Sequence, residues 1–405
     1  MIQNLPKFIS NKLRNASNTQ FSGVVSRIAV VSVAFSAMVL LLSFSILEGF
    51  KSNIKNNIIS FSSHIQISKF DINDNMDNVP ISNQTKRVLY ASPNIERIQE
   101  YAINTGIIKV GEEVHGVVFK GVGVDFNIST LQKNIVEGRF PEFTVSSKSN
   151  EVIISKLLQS KLNLKLGDNL IMYFITDSPK IRKLKIVGIF ETGMTEFDDV
   201  FIIGDIQLVR DVNKWDKHTI TGYEIFVKDF NQLKQTSDAV FDAMPNDMQM
   251  EVITDKYLQI FDWFKVLDWN VVILIVIIIT VVGFNIVSTL VVMIMERTSM
   301  IGMLKAMGAN NQLISKIFFY YGLSILSKGL IWGNLIAFIL AFLQYHFKFI
   351  PLDPENYFMT SVPISWPILS FVFVNLIITF LVILALIVPI VFINKVKPIK
   401  AIKFN

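Results

Sequence analysis

The side chains that could do chemistry in this 405-residue chain are few and scattered. Its four histidines, His64, His115, His218 and His346, show no HExxH and no other metal-ligand spacing, so they read as ordinary surface or hydrogen-bonded histidines rather than a zinc site. The acid pairs Glu112-Glu113 and Asp198-Asp199 fall where the pattern predicts turns, which favours solvated carboxylates over a general acid and base. There is no GxSxG to present a nucleophile and no GxxxxGK[ST] to cradle a nucleotide phosphate. Cysteine is absent, which excludes disulfides, thiolate metal sites and cysteine lipidation. No catalytic residue, metal site or cofactor site is assigned, and the chain is not read as an enzyme.

The elements that hold these residues are largely apolar. Hydrophobic residues make up 51% of the sequence and the mean hydropathy is +0.46, which calls for a membrane protein with a sizeable water-exposed domain. Residues 28–47, 269–295 and 368–393 are charge-free, and 317–345 is interrupted only by Lys328. At about 1.5 Å per residue each can cross a hydrocarbon core of roughly 30 Å, so four transmembrane helices are expected. Lys328 has two readings: it faces a partner or wet cavity, or its amine reaches the interface and the span begins near Gly329.

Charge orients these helices. Residues 1–27 carry Lys7, Lys12, Arg14 and Arg27 and no acid, and 394–405 carries Lys395, Lys397, Lys400 and Lys403 and no acid. The loop 296–316 is also net basic. The positive-inside rule therefore places all three in the cytoplasm and the short loop 346–367 outside. Residues 48–268 hold 30 Asp and Glu against 25 Lys and Arg, so the net charge of +5 reports topology, and no nucleic-acid partner is implied. The first apolar run is longer than the roughly 7–15 residues of a signal peptide core and lacks a small-x-small cleavage site, which makes it an uncleaved anchor.

Residues 48–268 are enough for an extracytoplasmic α+β domain inserted between helices 1 and 2. Strand patterns occur at 64–68, 114–124, 151–155, 169–175, 183–190, 200–204 and 223–227, and helical spacing at 156–164 and 231–244. The order strand, helix, strand over 223–254 suggests a split βαβ layer, and about 126–220 suggests an inserted β-rich subdomain. The stretch TDKYLQIFDWFKVLDW runs without a breaker into the second span, both as a helix joining domain to bilayer and as an aromatic interfacial belt.

Between spans two and three lies MERTSMIGMLKAMGAN, residues 295–310. Met300, Ile301, Leu304 and Met307 recur at helical spacing beside Glu296, Arg297 and Lys305, and Gly308 with Ala309 and Asn310 is a helix stop. A short amphipathic helix results, suited either to the membrane surface or to a groove on a partner, where unbranched methionine adapts well.

This stretch resembles the ERTxEIGxLKAxGA signature of FtsX-like permeases, the MacB-type branch of ABC transporter membrane subunits, departing from it at Met300, where the family usually carries an acid. The segments FSGVVSRIAVVSVAFSAMVLLLSFSILEGFKSNI, EVIISKLLQSKLNLKLGDNLIMYF, KIVGIFETGMTEFDD, FIPLDPENYFMTSVPISW and PIVFINKVKPIKAIKF resemble the LolC/LolE lipoprotein-releasing permeases of that family. The resemblance implies a non-catalytic permease subunit of a type VII ABC transporter in the bacterial inner membrane, with its large domain periplasmic. Its ATP and Mg would be bound by a separate cytoplasmic ATPase dimer. Glu296, Arg297, Thr298, Ile301, Gly302, Leu304, Lys305, Ala306, Met307, Gly308 and Ala309 would form the coupling helix on that ATPase. A second permease subunit would complete a homodimer or heterodimer, the substrate would be a lipoprotein, and a periplasmic carrier would receive it. Phe44, Leu47, Phe264 and Leu267 are candidates for lining the substrate cleft. The hairpin tip at 176–180 is shorter than the hook of the carrier-recruiting subunit. The alternatives are a MacB-like efflux permease and an FtsX-like regulator of a cell-wall hydrolase that transports nothing.

Overall fold

The computed structural model describes residues 6–10, 21–69, 81–82, 85, 89–90, 92–144, 148–176, 178–353, 357, 359–366 and 368–388. The expected basic tail, the PIVFINKVKPIKAIKF motif beyond 388 and most of the segment 1–20 lie outside the described residues. The chain forms two compact units: Met1–Lys51 with Trp263–Ile350 and Val362–Asn405, and Ser52–Asp262 with Pro351–Ser361.

Four helices among the described residues are long and apolar enough to cross a membrane. They are α1 (Phe21–Ser62), α5 (Leu258–Glu296), α7 (Asn311–Phe347) and α8 (Ile368–Ala385), with α6 (Thr298–Ala306) between α5 and α7. Their shared core is a column of Ala29, Val33, Ala37 and Leu41 from α1 against Ile286, Leu290 and Met293 from α5, Ile325 from α7 and Ile378 from α8. Small residues set the spacing. A Cβ on Gly329 would lie 2.5 Å from the Val33 side chain, and one on Gly333 would lie 2.5 Å from the Ala34 carbonyl. Close backbone approach through small residues is what drives helix packing where lipid removes the hydrophobic contrast. Two amide contacts add direction: Asn285 Nδ2 donates to Ser32 Oγ at 3.1 Å, and Asn334 and Asn375 exchange hydrogen bonds at 2.8 and 3.0 Å.

Among the described residues, the second unit is built on a sheet of ten strands. Its strands are β1 (Ile65–Lys69), β2 (Ile95–Val110), β3 (Glu113–Val122), β4 (Ile135–Gly138), β5 (Glu151–Ser155), β6 (Asn169–Phe174), β7 (Lys180–Phe190), β8 (Phe201–Asp205), β9 (Gly222–Val227) and β10 (Met248–Val252). They are ordered β10-β1-β9-β2-β3-β8-β5-β7-β4, with β6 pairing both β2 and β7. The pairs β3·β8 and β5·β7 are parallel and the others antiparallel. Helices α2 (Lys156–Lys161), α3 (Ile206–Asn213) and α4 (Leu233–Ala243) follow β5, β8 and β9. Strands β9 and β10, joined by α4, flank β1, a split βαβ arrangement. The stretch of about 126–220, expected as an inserted β-rich subdomain, joins the sheet through β3·β8 and β2·β6.

Three local expectations differ from what is found. Strand β2, of 16 residues, carries Glu96, Arg97, Gln99, Glu100 and Asn104, and these polar residues mask its strand pattern; Gln99 and Asn104 are nonetheless buried, Gln99 bonded to Glu224 of the sheet and Asn104 to Asn213 of the helix Ile206–Asn213. The helix into the second span begins at Leu258, because Tyr257 leaves helical geometry (φ −112°, ψ 40°) and its hydroxyl meets Ser62 Oγ at 2.8 Å. Asp198 is buried rather than solvated: it accepts from the Thr192 hydroxyl and from the Thr192 and Gly193 amides, closing the turn before β8. Burial pushes its carboxyl up, against the pull of those hydrogen bonds.

Candidate functional site

The stretch 295–310 forms a capped helical reversal. Helix α5 ends at Glu296, Arg297 is non-helical (φ −102°), and α6 runs from Thr298 to Ala306. Gly308 takes φ +90°, a conformation in which a side chain would be strained. Its N–H reaches the Lys305 carbonyl at 3.0 Å and the Ala309 N–H reaches Leu304 at 2.9 Å, closing α6 as a left-handed C-terminal motif. Asn310 then caps α7, its Oδ1 accepting from the Leu313 amide at 2.9 Å. Thr298 Oγ1 returns to the carbonyls of Ile294 and Met295.

The two faces of α6 are not divided as the spacing suggested. Ile301 and Gly302 are buried, Ile301 joining Met293, Ile294, Ile314 and Phe318 in the helical core. Arg297, Thr298, Met300, Leu304, Lys305 and Ala309 are half-buried. The outward face carries Ser299, Met303, Ala306, Met307 and Gly308, with Glu296 and Met295 beside it. Met303 is 55% exposed and Met307 76%. These are unbranched, polarizable side chains on a short, rigidly capped helix, the composition of an adaptable protein-docking face.

At the other end of these long helices, Lys51 Nζ meets both oxygens of Asp268 at 2.8 Å, and the Phe50 and Trp263 rings pack edge to face at 5.3 Å, joining α1 to α5. Of the cleft candidates, Phe264 is buried in this region, with the Lys51 ammonium 6.0 Å from its ring, while Phe44, Leu47 and Leu267 are half-buried. Gly49 lies under the 363–365 backbone, where a Cβ would meet the Pro363 oxygen at 2.7 Å.

Within the second unit the final turn of α1 is fastened to the sheet. The buried Lys120 Nζ of β3 donates to Glu224 Oε1 of β9 at 2.5 Å and to the Phe61 carbonyl of α1 at 2.6 Å. Gln99 and Gln66 satisfy the same carboxylate. Phe61 packs on Phe190 and Phe197, and Asn57 donates to the Thr192 carbonyl at 2.8 Å. After the left-handed Ser63 (φ 55°), His64 uses Nδ1 to accept from the Val227 amide at 3.3 Å. Burial, with nearby Lys55 adding to it, lowers the His64 imidazole to about 4. This fastening was not foreseen from sequence. Its signal was one charge in each of two otherwise apolar strand interiors, Lys120 in VVFKGV and Glu224 in YEIFV.

Among the described residues, the remaining chemically able groups are not gathered into one place. His115 Nε2 meets the Asp199 carbonyl at 2.8 Å, His346 stacks on Phe342, and Glu112 and Glu113 are exposed at the β2–β3 turn.

Residues 26–242 match the MacB-like periplasmic core domain and residues 272–398 the FtsX-like permease C-terminal region. The chain belongs to the FtsX-like permeases with a MacB-like periplasmic domain, and is a membrane protein. It is similar to the lipoprotein-releasing system transmembrane protein LolC of Buchnera aphidicola subsp. Schizaphis graminum, at 25% identity over 93% of each chain. It is also similar to the transmembrane protein LolE of that system from Haemophilus influenzae, at 21% identity over 84% of this chain and 82% of the relative. Among solved structures, the periplasmic region of MacB from Actinobacillus actinomycetemcomitans aligns with 51% of this chain and 96% of its own, at 14% identity and a TM-score of 0.35.

Proposed function

We propose that this chain is the permease subunit of a type VII ABC transporter that extracts lipoproteins from the bacterial inner membrane. The observation that carries the reading is the match of both family regions on one chain, together with relatives named for lipoprotein release over nearly its full length. In this reading a cytoplasmic ATPase dimer binds ATP and Mg and grips the outward face of α6. Closure of that dimer moves α6, and α1 and α5 carry the motion to the periplasmic domain. The fastening of Phe61 to Lys120 and Glu224 supports such a role, since a helix end held by a buried charge network transmits displacement instead of absorbing it. Pulling acyl chains from a bilayer costs about 0.8 kcal/mol per CH₂, which explains the need for ATP. A second permease subunit and a periplasmic carrier complete the assembly.

Depleting the chain from cells is expected to leave lipoproteins in the inner membrane. Normal lipoprotein sorting with a division defect would point to an FtsX-like regulator instead, and normal sorting with co-purification of an adaptor to a MacB-like exporter. Docking is tested separately. Met303→Asp with Met307→Asp should weaken ATPase association roughly tenfold or more while leaving membrane insertion intact, and undiminished recovery of an ATP-active complex would refute the α6 assignment. Leu304→Asp is a poorer probe because Leu304 is half-buried.

A further inference from the structure

The seam between α1 and α7 opens on one side into a groove of about 550 Å³. Gly329 packs on Val30 and Val33, and Gly333 on Ala34 and Ala37, so the two helices run in the same direction there. Arg27 and Lys328 consequently line one end of the groove, and Met38 and Ile336 the other. Between them the walls are Val31 and Phe35 of α1 and Trp332 of α7. Phe35 is 61% exposed and Trp332 56%, and among the described residues no acidic side chain lines the groove. Among the described residues, none makes an ion pair or hydrogen bond with the Lys328 side chain.

A cation on the outer surface of an apolar helix carries a cost unless an anion or water reaches it. Here that cation is Lys328, which lies with Arg27 at one end of the groove, near the start of the apolar run that begins at Ile28 and beside an aromatic and aliphatic trough. That combination matches an amphiphile with an anionic head and an acyl tail. We infer that this groove binds an anionic phospholipid of the leaflet on the side of residues 1–27, its phosphate between Arg27 and Lys328 and an acyl chain along Phe35 and Trp332. Inorganic phosphate lacks the tail that the trough would hold, and a neutral-headed lipid lacks the net charge that the two cations would select. The inference concerns the lipid around the subunit and stands whether or not the cargo is a lipoprotein.

Trp332 supplies the reporter. The full chain is reconstituted in vesicles containing dibrominated phosphatidylglycerol or dibrominated phosphatidylcholine, and the Trp332 signal is taken as the difference between wild type and Trp332→Phe. Phosphatidylglycerol should quench that signal with a relative association constant roughly fivefold higher per cation engaged. Arg27→Gln with Lys328→Gln should bring the ratio of the two lipids close to one, while Arg27→Lys with Lys328→Arg, which keeps both charges, should retain the preference and so exclude a folding defect as the cause. Equal quenching by the two lipids in wild type, or a preference unchanged in the double Gln variant, would overturn the proposal. So would absence of quenching by either lipid, or oxidative cross-linking of Phe35→Cys into a dimer, which is a clean test because the chain has no other cysteine; either result would mean that protein, such as a second copy, covers the groove.

Discussion

The two units solve the same packing problem with opposite materials. The sheet unit buries charge and matches it: Lys120 with Glu224, Asp198 with the 192–193 amides, and Asn94 with Thr236 and the Asp229 carbonyl. In the helical unit, the described contacts are close approach at Gly329 and Gly333 and a few amide pairs. The difference follows from the surroundings. Water rewards the sheet unit for hiding apolar surface, which leaves surplus to satisfy buried polar groups, whereas lipid offers little reward for burial and packing must come from fit.

Removing a charge should therefore hurt the sheet unit most. Lys120→Met leaves Glu224 buried without its cation and should cost about 3–5 kcal/mol, read by denaturant unfolding of the full chain in detergent. Adding Glu224→Gln should recover part of the loss, and a null effect of the single change would show that water reaches the pair.

Acid should come next. His64 is held neutral with its pKa lowered to about 4, while in the unfolded chain it titrates near 6.5. Its contribution is complete above about 6.5 and is lost as pH falls toward 4, because the unfolded state takes up the proton first; the full span is worth roughly 3 kcal/mol. Asp198 and Asp205, whose carboxyls burial pushes up, oppose this trend, so the comparison is between wild type and His64→Gln across that range. Parallel stability curves for the two would remove the imidazole from the account.

In the helical unit the expected losses are smaller and steric. Gly333→Val should cost about 1–3 kcal/mol by overpacking against Ala34, whereas Gly283→Ala, where nothing lies within 4 Å of the added Cβ, should be neutral or slightly stabilising. Thermal melts in one detergent distinguish them, and equal effects would contradict the role given to the α1–α7 seam. The smallest effect belongs to Asn375→Leu, about 0.6 kcal/mol and at most about 1.7, the range of interhelical hydrogen bonds in membranes.

What could be read from sequence divides along the same line. Apolar runs with few charges announce spanning helices directly, and alternating patterns announced β5, β7 and β9, because local periodicity encodes burial. Strand β2 was hidden because it buries Gln99 and Asn104, and their partners Glu224 and Asn213 lie more than a hundred residues away. The stretch 295–310 was legible as an amphipathic helix but not as to which face is free. The inward turn of Ile301 depends on Ile314 and Phe318 across the reversal, which helical spacing within α6 does not contain.

The membership of Pro351–Ser361 in the sheet unit has a consequence for biogenesis. Residues 52–262 leave the ribosome first, yet their unit is complete only when a segment beyond α7 has followed them. At a synthesis rate of about 5–20 residues per second, the intervening stretch of roughly 100 residues delays that moment by roughly 5–20 s. Maturation of the water-exposed half is thereby timed by delivery of the third spanning helix, and a 52–262 fragment expressed alone lacks the last piece to arrive.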